Sequence, residues 1–163
     1  MTDEAAGTHE PKVPPVSPAT AGKADLSKRF IAGIIDAVIA FAIGLIPFIG
    51  GLIGAAYWLV RDGMDLDFMD HRSVGKKLVK LRPVTLDGSP MDIMVSVKRN
   101  WMFALGGIGQ LLIFTIVGIL LAIPLFFVML LLVIVEVVLV LTDAQGRRLG
   151  DKIANTIVIE VDE

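Results

Sequence analysis

Two carboxylates stand alone in long apolar stretches of this sequence. Asp36 is the only charged residue in the range 30–60, and Glu136 is the only one in the range 100–142. A charged side chain at membrane depth is costly and normally faces a protein interior or a water-filled cavity. Two such acids within hydrogen-bond distance cannot both be ionised cheaply, so they would hold one proton or one cation between them. The pattern predicts ion and proton binding at Asp36 and Glu136. The alternative is that each acid only packs one helix against another.

The apolar stretches that contain these acids are too long for single helices across a membrane. They have 31 and 43 residues, whereas about 20 apolar residues cross the hydrocarbon core. Proline and paired glycine permit a reversal at Pro47 and Gly50–Gly51, and Gly118 and Pro124 mark a second break. The sequence therefore predicts an all-α membrane fold of four spans. Their approximate limits are 29–46, 49–63, 99–120 and 123–142.

The positive charges favour the same count. All 15 Lys and Arg residues lie before residue 30, between residues 61 and 99, or after residue 146. With four spans these three segments share one side, and the positive-inside rule places them in the cytoplasm. We expect a multi-pass protein of the cell membrane with both termini cytoplasmic. Residues 1–27, rich in proline and polar residues, are expected to form a disordered tail.

A short motif occurs twice. Residues 72–79 read Arg-Ser-Val-Gly-Lys-Lys-Leu-Val, and residues 147–154 read Arg-Arg-Leu-Gly-Asp-Lys-Ile-Ala. Each copy follows a predicted pair of spans and leads into β-prone residues, 81–86 and 156–161. This indicates two copies of one unit, a helical hairpin followed by a small cytoplasmic cap of helix and strand. Two such parallel repeats are related by an axis along the membrane normal.

The order of these motifs resembles the RDD family of small prokaryotic membrane proteins. Arg29 and Asp36 match the arginine and the first aspartate of its name, and Asp151 matches the second aspartate. Arg99 resembles a further arginine before the third span, and the resemblance covers residues 28–161. It implies transport of a ligand, with cation/proton antiport as one form. Glu136 is not part of the family pattern.

The other charged residues have structural interpretations. Arg29 and Arg99 are expected to anchor at the membrane interface. Arg61 is expected to reach it by snorkelling unless tilt or local thinning accommodates the short second span. Asp151 is expected to cap a helix or to pair with Arg72 or Arg99. The aspartates at 62, 65, 67 and 70 lack the glycine and glutamate of a calcium loop, so they predict a solvated loop rather than a metal site. The basic residues at 76, 77, 80 and 82 are typical of a cytoplasmic membrane face.

Composition excludes several classes of function. The chain has no cysteine, and both histidines lie outside the apolar stretches, so we expect no enzyme, no cofactor and no metal site. Acidic residues between the basic ones argue against nucleic acid. The first hypothesis is a small transporter that exchanges Na⁺ or K⁺ for protons. The alternative is a non-transporting accessory protein that binds lipids or a larger membrane partner. Four short spans enclose little space, which favours an oligomer.

Overall fold

The computed structural model describes residues 22–47, 49–112 and 116–161. Within these ranges the chain is mainly helical, with one pair of short strands. The elements, in chain order, are α1 (Leu26–Gly44), α2 (Gly50–Val60), α3 (Val74–Leu78), β1 (Leu81–Thr85), α4 (Ile93–Asn100), α5 (Met102–Leu112), α6 (Ile116–Thr142), α7 (Leu149–Ile153) and β2 (Thr156–Glu160).

The apolar stretches form two pairs of packed helices. Asp25 caps α1 by accepting a hydrogen bond from Lys28 N at 2.9 Å, which satisfies an N–H group of the first turn. Helix α1 packs on α2, α5 packs on α6, and α2 joins the pairs by packing on α5. The first reversal lies between Gly44 and Gly50, at the glycine and proline residues that predicted it.

One helix among the described residues is long and apolar enough to cross a membrane. Helix α6 has 27 residues, which is about 40 Å at 1.5 Å per residue, more than the ~30 Å of a hydrocarbon core. Helices α2 and α5 have 11 residues each, about 16 Å by the same rise. A membrane-spanning helix is therefore present, and the count of four spans stays a prediction.

The predicted break at Gly118 and Pro124 is wrong. Both residues lie inside α6, and α5 ends at Leu112 rather than near residue 120. Residues 113–115, between the two helices, lie outside the described residues. Proline removes one backbone N–H, but an apolar membrane helix tolerates it where neighbouring groups satisfy the freed carbonyl. Glycine and proline therefore do not mark a turn reliably in such a sequence.

Both copies of the motif adopt the same local structure. Helix α3 begins at Val74 and α7 at Leu149, and each has five residues. Two residues after each helix the backbone is left-handed, at Lys80 (φ 58°) and at Asn155 (φ 53°). A strand follows each of them. The repeat predicted from the sequence is therefore also a repeat in backbone conformation.

The two strands pair antiparallel in a symmetric register. Pro83 lies opposite Val158 at the centre, and these two residues occupy equivalent positions of the repeat. Beyond the strand ends, Leu86 N donates to the carbonyl oxygen of Asn155 at 2.9 Å. The equivalent bond joins Val161 N to the carbonyl oxygen of Lys80 at 3.0 Å. Each copy of the repeat therefore donates to the other the same hydrogen bond that it accepts, as in a twofold interface between identical subunits.

Candidate functional site

Helix α3 rests on α1 through a contact that requires glycine. A Cβ atom at Gly75 would lie 2.2 Å from the carbonyl oxygen of Ala32. The close approach allows Gly75 N to donate a hydrogen bond to Asp36 Oδ1 at 2.9 Å. One of the two predicted acids therefore accepts from the first turn of α3, where backbone N–H groups have no partner within the helix.

The second copy of the motif repeats this arrangement with the other acid. A Cβ atom at Gly150 would lie 1.9 Å from the carbonyl oxygen of Arg99 in α4. Gly150 N donates to Glu136 Oε1 at 3.2 Å. Asp36 on α1 and Glu136 on α6 thus bind equivalent glycines of the repeat.

The two acids differ in the number of hydrogen bonds that their carboxylates accept. Asp36 is 1% exposed, and its carboxylate accepts from Arg61 Nη1 at 2.7 Å and from the Tyr57 hydroxyl at 3.1 Å, besides Gly75 N. Glu136 Oε2 has no hydrogen-bond partner among the described residues, and Arg148 Nε lies 3.7 Å from it. Each acid has its own cationic partner, and the two do not share a hydrogen bond within the described part of the chain.

Asp151 joins three arginines. Its carboxylate lies 3.1 Å from Arg99 Nε, 3.2 Å from Arg29 Nη2 and 3.5 Å from Arg148 Nη2. It also accepts from Arg148 N at 3.1 Å and so caps α7. Burial raises the pKa of this carboxyl, but the three arginines lower it more, to about 2. The predicted cap and the predicted pairing with Arg99 are confirmed.

The expected interface role of Arg29 and Arg99 is wrong, because both side chains turn into the protein. Arg29 also donates to the carbonyl oxygen of Gly146, and its side chain is 12% exposed. Arg99 is 1% exposed. Arg29, Arg99 and Asp151 of the family pattern thus lie in one ion cluster. Asp36 lines the same cavity as the two arginines.

Asp62 forms a second centre of the cluster. It is fully buried and accepts from Lys76 Nζ at 2.6 Å and from Asn100 Nδ2 at 3.3 Å, and Arg99 Nε lies 3.4 Å away. Arg99 therefore connects Asp62 to Asp151. Burial lowers the pKa of Lys76 to about 7, although Asp62 raises it.

A cavity of about 490 Å³ lies against this cluster. Apolar side chains of α1 and α6 form much of its wall. Its charged lining consists of Arg29, Asp36, Arg61, Lys76, Arg99, Glu136 and Arg148. Asp62 and Asp151 lie behind this wall. Together with the lining residues they give the cluster five basic groups and four carboxylates. The cluster therefore has one excess positive charge when every group is ionised.

Four cluster residues were missed by the sequence analysis. The expected interface position of Arg61 and the solvated position of Asp62 are wrong, because Arg61 is 4% exposed and Asp62 is 0% exposed. Lys76, expected on a basic surface, is buried as well, and no role was predicted for Arg148. One signal was available: Lys76 and Asp151 occupy equivalent positions of the repeat with opposite charge. No group of acids and histidines among the described residues has the geometry of a metal site.

Comparison with known proteins gives one match. A model of the RDD family matches residues 47–155, which is more than half of the chain. The matched range includes Arg61, Asp62, Lys76, Glu136 and Asp151, but it begins after Arg29 and Asp36. No curated protein and no solved structure matches the sequence.

Proposed function

Because the chain belongs to the RDD family and contains a helix able to cross a membrane, we propose that it is a small membrane transporter that exchanges Na⁺ or K⁺ for protons. The observation that carries the proposal is the buried ion pair Lys76–Asp62, of which Lys76 lines the cavity. In this proposal α1, α2, α5 and α6 are the four spans, and both termini are cytoplasmic. Residues 61–99 and 143–161 then lie on the cytoplasmic side, where basic residues concentrate.

A proton on Lys76 and a monovalent cation at Asp62 can each balance the negative charge of the Asp62 carboxylate. With Lys76 protonated, the cluster has one excess positive charge. If Lys76 releases its proton the cluster is neutral, and a monovalent cation at Asp62 restores the original charge. The two occupants compete because each neutralises the Asp62 carboxylate, and buried unpaired charge is costly. A pKa near 7 for Lys76 allows this competition at physiological pH.

The two acids predicted from the sequence have different parts in this proposal. Glu136 lines the cavity and has an oxygen without a hydrogen-bond partner among the described residues, so we assign it proton transfer between Lys76 and water. Asp36 lines the cavity too. A cation bound there would have to displace Arg61 from a 2.7 Å contact, so we assign Asp36 mainly to positioning α3 and Lys76.

The test is ion exchange by the purified full chain in liposomes that contain a pH-sensitive dye. With a pH gradient imposed, NaCl or KCl should collapse the gradient, and choline chloride should not. Lys76→Arg keeps the charge but does not release its proton, so exchange should fall at least about tenfold. Lys98→Arg makes the same change on an exposed face of α4 and should leave the rate near that of the unchanged protein.

Glu136→Gln provides a second variant in case Lys76→Arg fails to fold. It keeps an acceptor for Gly150 N and should slow exchange without a large change in melting temperature. If NaCl, KCl and choline chloride had the same effect on the pH gradient in liposomes with folded wild-type protein, the proposal would be contradicted. It would also be contradicted by a Lys76→Arg variant that exchanges at the wild-type rate.

A second candidate is a non-transporting accessory protein. The observation that favours it is the surface of α6, where most side chains are apolar and exposed. Such a surface suits lipid, a second copy of the chain or the helix of a larger membrane protein. Absence of flux together with a stoichiometric membrane partner after mild solubilisation would favour this candidate.

A further inference from the structure

The cavity beside the ion cluster is also a cleft between the two long helices. Leu26 and Phe30 of α1 line one wall, and Val133 and Val137 of α6 line the other. Helix α1 packs on α2 and α3, whereas α6 packs on α5 and α7. Phe30 is 71% exposed and Val137 is 53% exposed, so the walls extend to the outer surface.

At one end of the cleft, two arginines that pair with carboxylates also have N–H groups without an acceptor in the described part of the chain. Arg61 and Arg99 line it and are 4% and 1% exposed. Arg61 Nε and Arg99 Nη1 have no hydrogen-bond partner among the described residues. A buried donor without an acceptor is costly, and the cluster around these arginines has an excess positive charge. Both features call for an anionic acceptor such as phosphate.

The charged end of the cleft lies near the end of α6 that the proposed topology assigns to the cytoplasmic side. Glu136 is six residues before the end of α6, about 9 Å along the helix axis. The apolar walls continue from this level into the part of α6 that passes through hydrocarbon. The cavity volume of about 490 Å³ falls within the range of roughly 300–1,000 Å³ that is typical of ligand sites.

We propose that this cleft binds an anionic membrane phospholipid, with its phosphate beside Arg61 and Arg99 and an acyl chain between α1 and α6. A soluble phosphate ion would satisfy the arginines and leave the apolar walls uncovered. A zwitterionic lipid would cover the walls without balancing the excess charge. The proposal does not depend on transport, since a lipid at this site would stabilise either a transporter or an accessory protein.

The test is native mass spectrometry of the purified full chain in detergent, with phosphatidylglycerol, phosphatidylcholine or inorganic phosphate added. Phosphatidylglycerol should remain bound, and phosphatidylcholine should bind at least about tenfold more weakly. Val137→Trp should fill the cleft and reduce retention of phosphatidylglycerol by about tenfold. Val138→Trp is the matched control, because Val138 is 50% exposed on the same helix and does not line the cavity.

Four results would overturn the proposal. Equal retention of both lipids would show a general hydrophobic surface. Equal effects of the two tryptophan variants would place the lipid elsewhere on α6. Displacement of the lipid by inorganic phosphate, with no effect of Val137→Trp, would show a site for a soluble anion. A lipid-free dimer that added phosphatidylglycerol does not change would assign the cleft to a second copy of the chain.

Discussion

The two copies of the repeated motif share a backbone but differ in chemistry. At equivalent positions, in the third residue of α3 and of α7, one copy has Lys76 and the other has Asp151. Lys76 binds one carboxylate, that of Asp62, and its pKa is about 7. Asp151 binds three arginines, and its pKa is about 2. The difference teaches that a duplicated scaffold can hold a permanent ion centre around Asp151 and a second centre around Lys76, where burial lowers the pKa of the lysine.

Removing the permanent centre should have the largest effect. Asp151→Asn leaves Arg29, Arg99 and Arg148 with too little negative charge in a buried site, and breaking a buried ion pair costs about 3–5 kcal/mol. We expect the free energy of unfolding in detergent to fall by that amount. Asp143→Asn, which loses the ion pair with the partly exposed Lys152 but keeps an acceptor oxygen for Gln145 N and Arg147 N, is the control. A smaller loss for Asp151→Asn than for Asp143→Asn would refute the importance of this centre.

The two equivalent glycines should respond alike if the copies are equivalent in packing. Gly75→Ala and Gly150→Ala each place a Cβ against a backbone carbonyl oxygen, at 2.2 Å and 1.9 Å. We expect each to lower the free energy of unfolding by about 1–3 kcal/mol. Gly106→Ala in α5 meets nothing within 4 Å and should be neutral or slightly stabilising. Thermal melting checks all three, and an unaffected Gly75→Ala would show that only the second copy is tightly packed.

The Lys76 centre should appear as a pH-dependent effect. Burial lowers the pKa of Lys76 to about 7, while an unfolded lysine has a pKa of about 10.4. Between these values the unfolded chain binds the proton and the folded chain does not, so unfolding becomes less favourable as pH rises. Relative to Lys76→Met, the free energy of unfolding of the wild-type protein should rise by at most about 1.4 kcal/mol per pH unit between pH 7 and 10.

Denaturation at several pH values measures this difference. The groups that face Lys76 are Asp62, Asp36, Arg61 and Arg99. A parallel titration of Lys98→Met, whose lysine is exposed on α4, should show no such slope. If the difference in free energy of unfolding between the wild-type protein and Lys76→Met does not change with pH, Lys76 keeps its proton in the folded state. That result would also weaken the proposed exchange.

Local sequence patterns predicted the repeat better than they predicted the long apolar stretches. Ser73 begins α3 as an N-cap and accepts from Lys76 N at 3.3 Å, and the β-prone residues after it form β1. These features depend on neighbours in the chain. The break in the second apolar stretch was misplaced because residues 116–135, around Gly118 and Pro124, have no polar side chain, and a proline in such a helix does not force a turn.

What the sequence alone determined is the presence of a membrane helix, the repeat and two isolated acids, because charge, hydrophobicity and spacing are readable along the chain. Only the tertiary structure decided which ions meet. Arg61, Asp62 and Lys76 lie in or beside polar connections that look solvated in sequence. They are buried because the repeat brings α3 onto α1 and α7 onto α4, and both contacts exclude water. Ion pairing depends on distances across the fold, and a linear pattern does not contain those distances.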